Sequence, residues 1–321
     1  STYRIHSFKS RNCCAIGRTG FFLSKNCITP YKLVYLLLKC KMIMNKQEFL
    51  DILEEHKRLG FQEQIDYNKF YLYSIVTHST AIEGSTMTEI DNQLLFDEGL
   101  PAKGKSIVEQ NMNLDLKAAY ERSMELAKNH TPFSVGVLKH LSSLVMRRTG
   151  GEVNGMGGSF DSSRGDLRLV NVTAGAGGKT YMNYLKVPQR LDDFCREINK
   201  RREQLLKHPD VYEQYKLSFD AHLNLVTIHP WVDENGRMSR LIMNHLQNEF
   251  GLVPSKVLKE DKGEYIKSLK ISQEEESGLP FQEFMFEEHA KNLQQEIENY
   301  KMSMEEEEEE EEQKPRRHFR R

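Results

Sequence analysis

The sequence predicts an all-α protein that carries one β-hairpin. Apolar side chains recur at helical spacing along most of the 321 residues. An alternating, β-prone pattern stands out in one glycine-rich segment, Gly150 to Gly178. The longest uninterrupted apolar run, Leu33 to Leu38, is too short to cross a bilayer. We therefore predict a multi-helix bundle with a hairpin on its surface and no membrane partner.

Start and stop signals bound the helices of the N-terminal half. Thr88, with Asp91 three positions later, predicts the start of a short helix that ends at Gly99. Thr131 and Pro132 are expected to be the N-cap and the first helical residue of a later helix. Three further apolar stripes at helical spacing predict helices around Phe49–Leu59, Tyr67–Val76 and Ile107–Leu126.

The glycine-rich segment predicts the hairpin. Leu167 to Val172 alternates and is rich in β-prone residues, which is typical of a strand. Because the apolar core of a helical body is formed between its helices, we expect the one hairpin to lie over the surface as a flap. Helices then resume at Pro188 and continue to about Tyr300, with a first break at His229-Pro230.

The two ends differ from the body in charge. Residues 1–43 carry eight Lys or Arg and no acidic residue, without sustained periodicity, so we expect an appended segment outside the fold. Residues 304–321 combine a run of eight Glu with four Arg and one Lys, which predicts a disordered tail. The predicted folded part therefore covers residues 44–303.

Charge and cysteine usage narrow the class of protein. The body between the two ends has a net negative charge, whereas a nucleic-acid-binding domain carries a basic patch or stripe. We therefore expect no nucleic-acid partner. Four of the five cysteines lie in residues 1–43 and only Cys195 lies in the body, which argues against a disulfide framework and favours the reducing cytoplasm.

The residues after Ile228 concentrate polar chemistry where a loop meets a helix. Proline disfavours helical geometry at His229, so one helix should end there and the next should begin near Asn235. A helix start presents unpaired N–H groups and the positive end of the dipole, which attract anions such as phosphate. Gly236 allows close backbone approach, and Arg237 with Arg240 can add bidentate donors.

Two further side chains of this loop could supply chemistry. Asp233 offers a hard oxygen ligand for Mg²⁺, and His229 is a candidate general base near neutral pH. Each residue also has a structural interpretation, since a His before Pro at a helix end commonly caps or packs. A metal site shared by His222 and His229 is disfavoured because seven helical residues separate them by about 10 Å.

The string from His229 to Arg240 resembles the signature of the Fic family, His-x-Phe-x-Asp/Glu-Gly/Ala-Asn-Gly/Lys-Arg-x-x-Arg. A second, distant string, in which Ser79 precedes Glu83 and Gly84, resembles the inhibitory motif of that family, Ser/Thr-x-x-x-Glu-Gly/Asn. The resemblance covers roughly residues 65–290 and is least specific in the flap and around Tyr265.

The resemblance implies a Fic-type bundle with a β-hairpin flap, in which a catalytic core at 131–303 follows N-terminal helices at 44–130. It implies a protein adenylyltransferase, which transfers AMP from Mg²⁺-bound ATP to a Ser, Thr or Tyr hydroxyl of a target protein. Glu83 is expected to pair with Arg240 and so to inhibit the enzyme. The implied site comprises His229 as base, Asp233 for Mg²⁺, Asn235, Gly236, Arg237 and Arg240 for phosphates, and Val172, Gly175 and Tyr265 as further contacts to the nucleotide.

Two residues depart from the family pattern, and Trp231 in place of Phe is the milder change. Glu234 stands where the family has Gly or Ala, and if it faced the phosphates its charge should repel ATP. Three alternatives therefore stay open: removal of AMP, transfer of another phosphate-containing group, and nucleotide binding without catalysis. A homodimer is also possible.

Overall fold

The computed structural model describes residues 44–64, 66–155, 157–174, 178 and 180–313. The predictions for residues 1–43 and for Gly175 lie outside these described residues. In the described part the protein is a helical bundle with one small antiparallel hairpin, which confirms the predicted fold class. Its helices are α1 Lys46–Arg58, α2 Tyr67–Ile82, α3 Glu89–Glu98, α4 Ile107–Lys128, α5 Val135–Val145, α6 Val187–Lys207, α7 Val211–Ile228, α8 Asn235–Glu249, α9 Lys262–Glu274 and α10 Leu279–Gln313.

The centre of the bundle is α8. It packs against α7, α4 and α5, and almost every one of its side chains is buried. Apolar residues such as Met238, Leu241 and Leu246 fill this core. Because a helix that is enclosed on all sides has a fixed position, its N-terminal end provides a rigid base for the site described below.

A buried polar network fixes α2 against its neighbours. Thr80 donates to Asn113 Oδ1 at 2.7 Å. Asn92 donates to Thr77 Oγ1 at 2.7 Å and to Asn113 Oδ1 at 2.9 Å. These side chains lie on α2, α3 and α4, so the three helices are held together by hydrogen bonds as well as by apolar packing. The helix that carries Ser79 and precedes Glu83 is thereby immobilised.

Helix caps follow the sequence signals in most places. Thr88 and Asp91 form a capping box at the start of α3, and Gly99 ends that helix with a φ of 68°. The prediction for α5 is wrong by three residues, because Ser134 and not Thr131 is the N-cap. Ser134 Oγ accepts from the Val137 N–H at 3.1 Å and so satisfies a donor that Thr131 does not reach.

The glycine-rich segment differs in detail from its prediction. Its regular strands are β1 Glu152–Gly155 and β2 Gly158–Asp161, which precede the predicted stretch. Residues 167–172 form no strand, because the Arg168 N–H donates to the Pro230 carbonyl at 3.0 Å instead of to a neighbouring strand. An isolated bridge pairs Thr173 with Thr180. We call the described residues on either side of it, 172–174 and 180–181, the flap turn.

The C-terminal helix also extends beyond its expected end. α10 continues to Gln313, through positions 304–313 where we predicted disorder. Glutamate has a high helix propensity, so a run of Glu residues can prolong a helix that packing has already started. In the residues that the structure describes, no helix is both long and apolar enough to span a membrane.

Candidate active site

The loop that follows α7, residues 229–234, is the centre of the candidate site, and we call it the His229 loop. His229 ends α7 in the left-handed region, with a φ of 54°, since Pro230 disfavours helical geometry at this position. Glu234 has a φ of 53° and directly precedes α8. The junction of loop and helix start is therefore as the sequence predicted.

Asn235 and Trp231 hold the His229 loop in shape. The Asn235 side chain accepts from the Trp231 N–H at 3.1 Å and donates to the carbonyls of Trp231 and Asp233, both at 3.0 Å. Trp231 is fully buried, and its indole N–H donates to the Gly165 carbonyl. The side chain of Asn235 is thus engaged within the loop, so what Asn235 can offer a phosphate is its backbone N–H.

The His229 imidazole has a defined tautomer. Its Nδ1 lies 3.2 Å from the Val226 carbonyl, which assigns the proton to Nδ1 and leaves Nε2 as the acceptor. Burial lowers the pKa of His229 to about 4, and the nearby Arg168 charge acts in the same direction. The ring is therefore neutral at pH 7, as a general base must be.

Glu83 and Arg240 form the ion pair that the resemblance predicted. Arg240 Nη2 donates to Glu83 Oε1 at 2.6 Å and to the Ser79 carbonyl at 3.0 Å. Its Nε donates to Ser79 Oγ at 2.8 Å. Burial alone would raise the pKa of Glu83, but the charge and hydrogen bond of Arg240 lower it below its ordinary value. The carboxylate is therefore ionised at neutral pH.

The same carboxylate lies against the first turn of α8. A Cβ added to Gly236 would stand 2.5 Å from Glu83 Oε1, so a larger residue at this position would have to displace the Glu83 carboxylate. Gly84 follows with a φ of 105°, where a side chain would be strained, and it allows the chain to turn away after α2. Glu83 thus places a negative charge where the helix start attracts anions.

Glu234 is turned away from solvent. It is 2% exposed, and its Oε1 accepts from Ser142 Oγ of α5 at 2.8 Å. Burial raises the pKa of Glu234 well above its ordinary value, although the Ser142 hydrogen bond and the Arg237 charge oppose this shift. A raised pKa favours the neutral form, so the expected repulsion of ATP is weakened.

Arg237 and Asp233 occupy the other side of the helix start. Arg237 is 3% exposed, and in the part of the chain that the structure describes its Nε and Nη1 have no hydrogen-bond partner. Its Nη2 stands 3.6 Å from Asp233 Oδ2. The Asp233 side chain is 70% exposed, which leaves its carboxylate accessible from solvent.

Two of the predicted nucleotide contacts are placed differently. Tyr265 is buried behind Arg240, where its hydroxyl is 3.2 Å from Arg240 Nη1 and 2.9 Å from His222 Nε2, and it does not line the cleft. The Val172 carbonyl accepts the Tyr181 N–H at 3.0 Å and so helps to close the flap turn. The flap residues that line the cleft are Thr173 and Ala174.

The cleft itself has a volume of about 240 Å³. It lies between the flap turn and the helix start and is lined by Glu83, Thr173, Ala174, Tyr181, His229 and residues 232–236. The structure thus brings together both motifs and the flap, as predicted.

Sequence reasoning missed two residues of this site. Arg168 is 1% exposed and donates to the His229 carbonyl at 2.7 Å, and Tyr181 stacks on the His229 ring. Arg168 lay within a stretch that alternates like a strand, which gave no signal of a buried guanidinium. Tyr181 lay beyond the predicted hairpin and belonged to no motif.

Comparisons with known proteins agree with the resemblance. Residues 132–247 match the model of the Fic/DOC family. The Protein adenylyltransferase Fic of Drosophila persimilis is 30% identical over 211 residues, which cover 62% of this chain and 36% of that protein. Protein adenylyltransferase fic-1 of Caenorhabditis elegans is 27% identical over 205 residues, which cover 63% and 36%. The chain thus spans about a third of the length of these relatives.

Solved structures share the fold. Fic-1 (residues 134–508) of C. elegans superposes with a TM-score of 0.65 at 20% identity, covering 85% of this chain and 77% of that one. A Fic-domain-containing signaling protein of Bacteroides thetaiotaomicron gives a TM-score of 0.64 at 17% identity, with coverages of 78% and 96%. Identities this low show the fold alone. The match to the Fic/DOC family itself covers residues 132–247 of the chain.

Proposed function

We propose that this chain is a protein adenylyltransferase that Glu83 inhibits. The observation that carries the proposal is the position of the Glu83 carboxylate, which lies against Gly236 at the start of α8 and pairs with Arg240. The start of a helix attracts anions, so the position that the Glu83 carboxylate occupies is also one where an anionic phosphate would bind. The names of the matched relatives supply the activity, since they are protein adenylyltransferases.

In the proposed reaction, a Ser, Thr or Tyr hydroxyl of the target protein enters the cleft beside His229. His229 Nε2 takes the hydroxyl proton while the oxygen attacks the α-phosphorus of ATP. The bond from the α-phosphorus to the bridging oxygen breaks, and pyrophosphate leaves with the electron pair. The neutral imidazole and its fixed tautomer support this role.

The first turn of α8 would bind the phosphates. The backbone N–H groups at Asn235 and Gly236 lie at the positive end of the helix and lack intrahelical partners. Arg237 would add the donors of Nε and Nη1, two nitrogens that have no hydrogen-bond partner among the described residues. Arg240 would join them once it is released from Glu83.

Asp233 would hold Mg²⁺. The described residues contain no group of three or more His, Cys, Asp or Glu side chains that could form a metal cage. One accessible carboxylate is nevertheless a normal protein ligand for Mg²⁺, which usually keeps several waters and also binds the substrate phosphates. The ion would neutralise charge on the polyphosphate and align it.

The test compares Glu83→Gly with the unchanged protein in Mg·ATP, using α-labelled nucleotide and intact mass spectrometry. We expect at least tenfold more labelling of Glu83→Gly, because removal of the carboxylate frees Arg240 and the helix start. A mass gain of one AMP would identify the group transferred. Glu83→Gly with His229→Ala is the matched control, and it should label about 10²-fold less or worse.

Other outcomes would contradict parts of the proposal. Equal labelling of both proteins would exclude inhibition by Glu83. A mass gain of one phosphate would indicate transfer of the terminal group of ATP. Release of AMP from a labelled target would favour the removal reaction, and nucleotide binding without any product would indicate a non-catalytic protein.

Two finer assignments also stay proposals. A homodimer is supported by exposed apolar side chains near the start of α4, where Ile107 is 68% and Val108 60% exposed. Light scattering would decide between dimer and monomer. A cytoplasmic location is supported by the free, buried thiol of Cys195.

A further inference from the structure

Tyr181 covers one face of the His229 imidazole. The two ring centroids are 3.7 Å apart and the ring planes differ by 13°, so the rings are stacked face to face. Tyr181 belongs to the flap turn, whereas His229 belongs to the loop after α7. The stack therefore joins the flap turn directly to the candidate base.

The backbone around Tyr181 is held from two sides. Its N–H donates to the Val172 carbonyl at 3.0 Å, next to the bridge that closes the flap turn. The buried Arg168 guanidinium donates to the carbonyls of His229, at 2.7 Å, of Val170, at 2.8 Å, and of Met182. Both sides of the flap turn are thus fixed to the backbone of His229 itself.

The hydrogen bond from His229 Nδ1 does not fix the ring alone. A single contact of 3.2 Å to the Val226 carbonyl sets the tautomer but still allows the ring plane to rotate about that bond. A stacked ring on one face removes this rotation, because turning the imidazole would drive its edge into Tyr181. The Nδ1 hydrogen bond and the stack together define where Nε2 points.

We propose that Tyr181 is a positioning residue that holds the His229 imidazole with Nε2 facing the cleft. The inference rests on the proposed function of His229 as base and names the residue that orients it. Because the Nε2 lone pair lies in the plane of the imidazole, a target hydroxyl approaches along the ring edge, and a ring stacked on the face does not block this approach. Arg168 supports this arrangement by fixing the flap turn.

The first measurement is independent of activity. In NMR spectra of protein that contains isotopically labelled histidine, the Hε1 resonance of His229 is assigned as the one that disappears in His229→Gln. An aromatic ring stacked on the imidazole shifts this resonance upfield. We expect Tyr181→Leu to remove the shift and Tyr181→Phe to retain it, since Phe keeps the ring and loses only the hydroxyl. An unchanged resonance in Tyr181→Leu would overturn the proposal.

The second measurement uses the Glu83→Gly background. Tyr181→Leu should lower kcat for AMP transfer about tenfold with KM for ATP unchanged, because misorientation of a base slows chemistry and not nucleotide binding. Tyr181→Phe should restore kcat. Loss of the stack with unchanged kcat would overturn the positioning role. If Glu83→Gly transfers nothing at all, the proposed function fails, while the resonance still decides whether Tyr181 holds the ring.

Discussion

The two sides of the α8 start differ in how their arginines are used. On the Glu83 side, Arg240 donates to Ser79, Glu83 and Tyr265. On the Asp233 side, Arg237 is equally buried, yet two of its nitrogens, Nε and Nη1, have no hydrogen-bond partner among the described residues. Glu83 thus pairs with Arg240 and not with Arg237, which lies near Asp233. Inhibition by Glu83 is therefore expected to act on one side of the phosphate site only.

The largest expected effect comes from Arg237→Met in the Glu83→Gly background. Removing the guanidinium that lies in the first turn of α8 should lower AMP transfer about 10²-fold, as loss of a transition-state donor does in other enzymes. The free energy of unfolding should stay the same or increase, because the substitution removes a buried cation whose Nε and Nη1 have no hydrogen-bond partner among the described residues. Labelling rates and thermal unfolding measure the two effects. A clear drop in Tm without loss of transfer would show that Arg237 has a structural role instead.

Arg240→Met should produce a smaller effect of a different kind. It leaves the Ser79 side chain and carbonyl and the Glu83 carboxylate without their donor, so unfolding free energy should fall by about 2 kcal/mol. Denaturant unfolding of Arg240→Met and Arg237→Met, two substitutions of the same type, gives a matched comparison. If the two substitutions changed the free energy of unfolding by the same amount, the proposed difference between the two arginines would be refuted.

The smallest expected effect is a change in how stability depends on pH. Glu234 and Glu83 should contribute to it in opposite directions, because their pKa shifts have opposite signs. The pKa of Glu83 is lowered, so its contribution to stability is present above its ordinary value of 4.5 and is lost as pH falls through its folded value. The pKa of Glu234 is raised, so its contribution is present below 4.5 and is lost as pH rises through its folded value.

The unchanged protein should lose stability as the pH rises above 4.5, because of Glu234, and as the pH falls through the lowered pKa of Glu83. Glu234→Gln should abolish the first loss and Glu83→Gln the second. Thermal unfolding across pH measures both. Glu234→Gln should also change affinity for Mg·ATP less than about twofold by calorimetry, because burial raises the pKa of the Glu234 carboxyl and so favours its neutral form. Much tighter binding would mean that Glu234 carries its charge into the cleft.

Much of the fold could be predicted from local signals. The capping box at Thr88, the proline after His229 and the glycine after Glu83 act within a few residues, so the sequence reveals them directly. The predictions of the α5 N-cap and of the strand position were wrong for a related reason. Ser134 competes with Thr131 for the same role, and Arg168 is drawn from a strand pattern by carbonyls that lie more than sixty residues away.

By itself, the sequence determined the helical class, the two motifs and the residue types of the candidate site, because these depend on periodicity, capping and spacing along the chain. Only the tertiary structure decided the environment of each group. It placed Glu83 against Gly236, turned Glu234 toward Ser142, put Tyr265 behind Arg240 and laid Tyr181 over His229. Burial and long-range partners set charge state and orientation, and neither is encoded in any single stretch of residues.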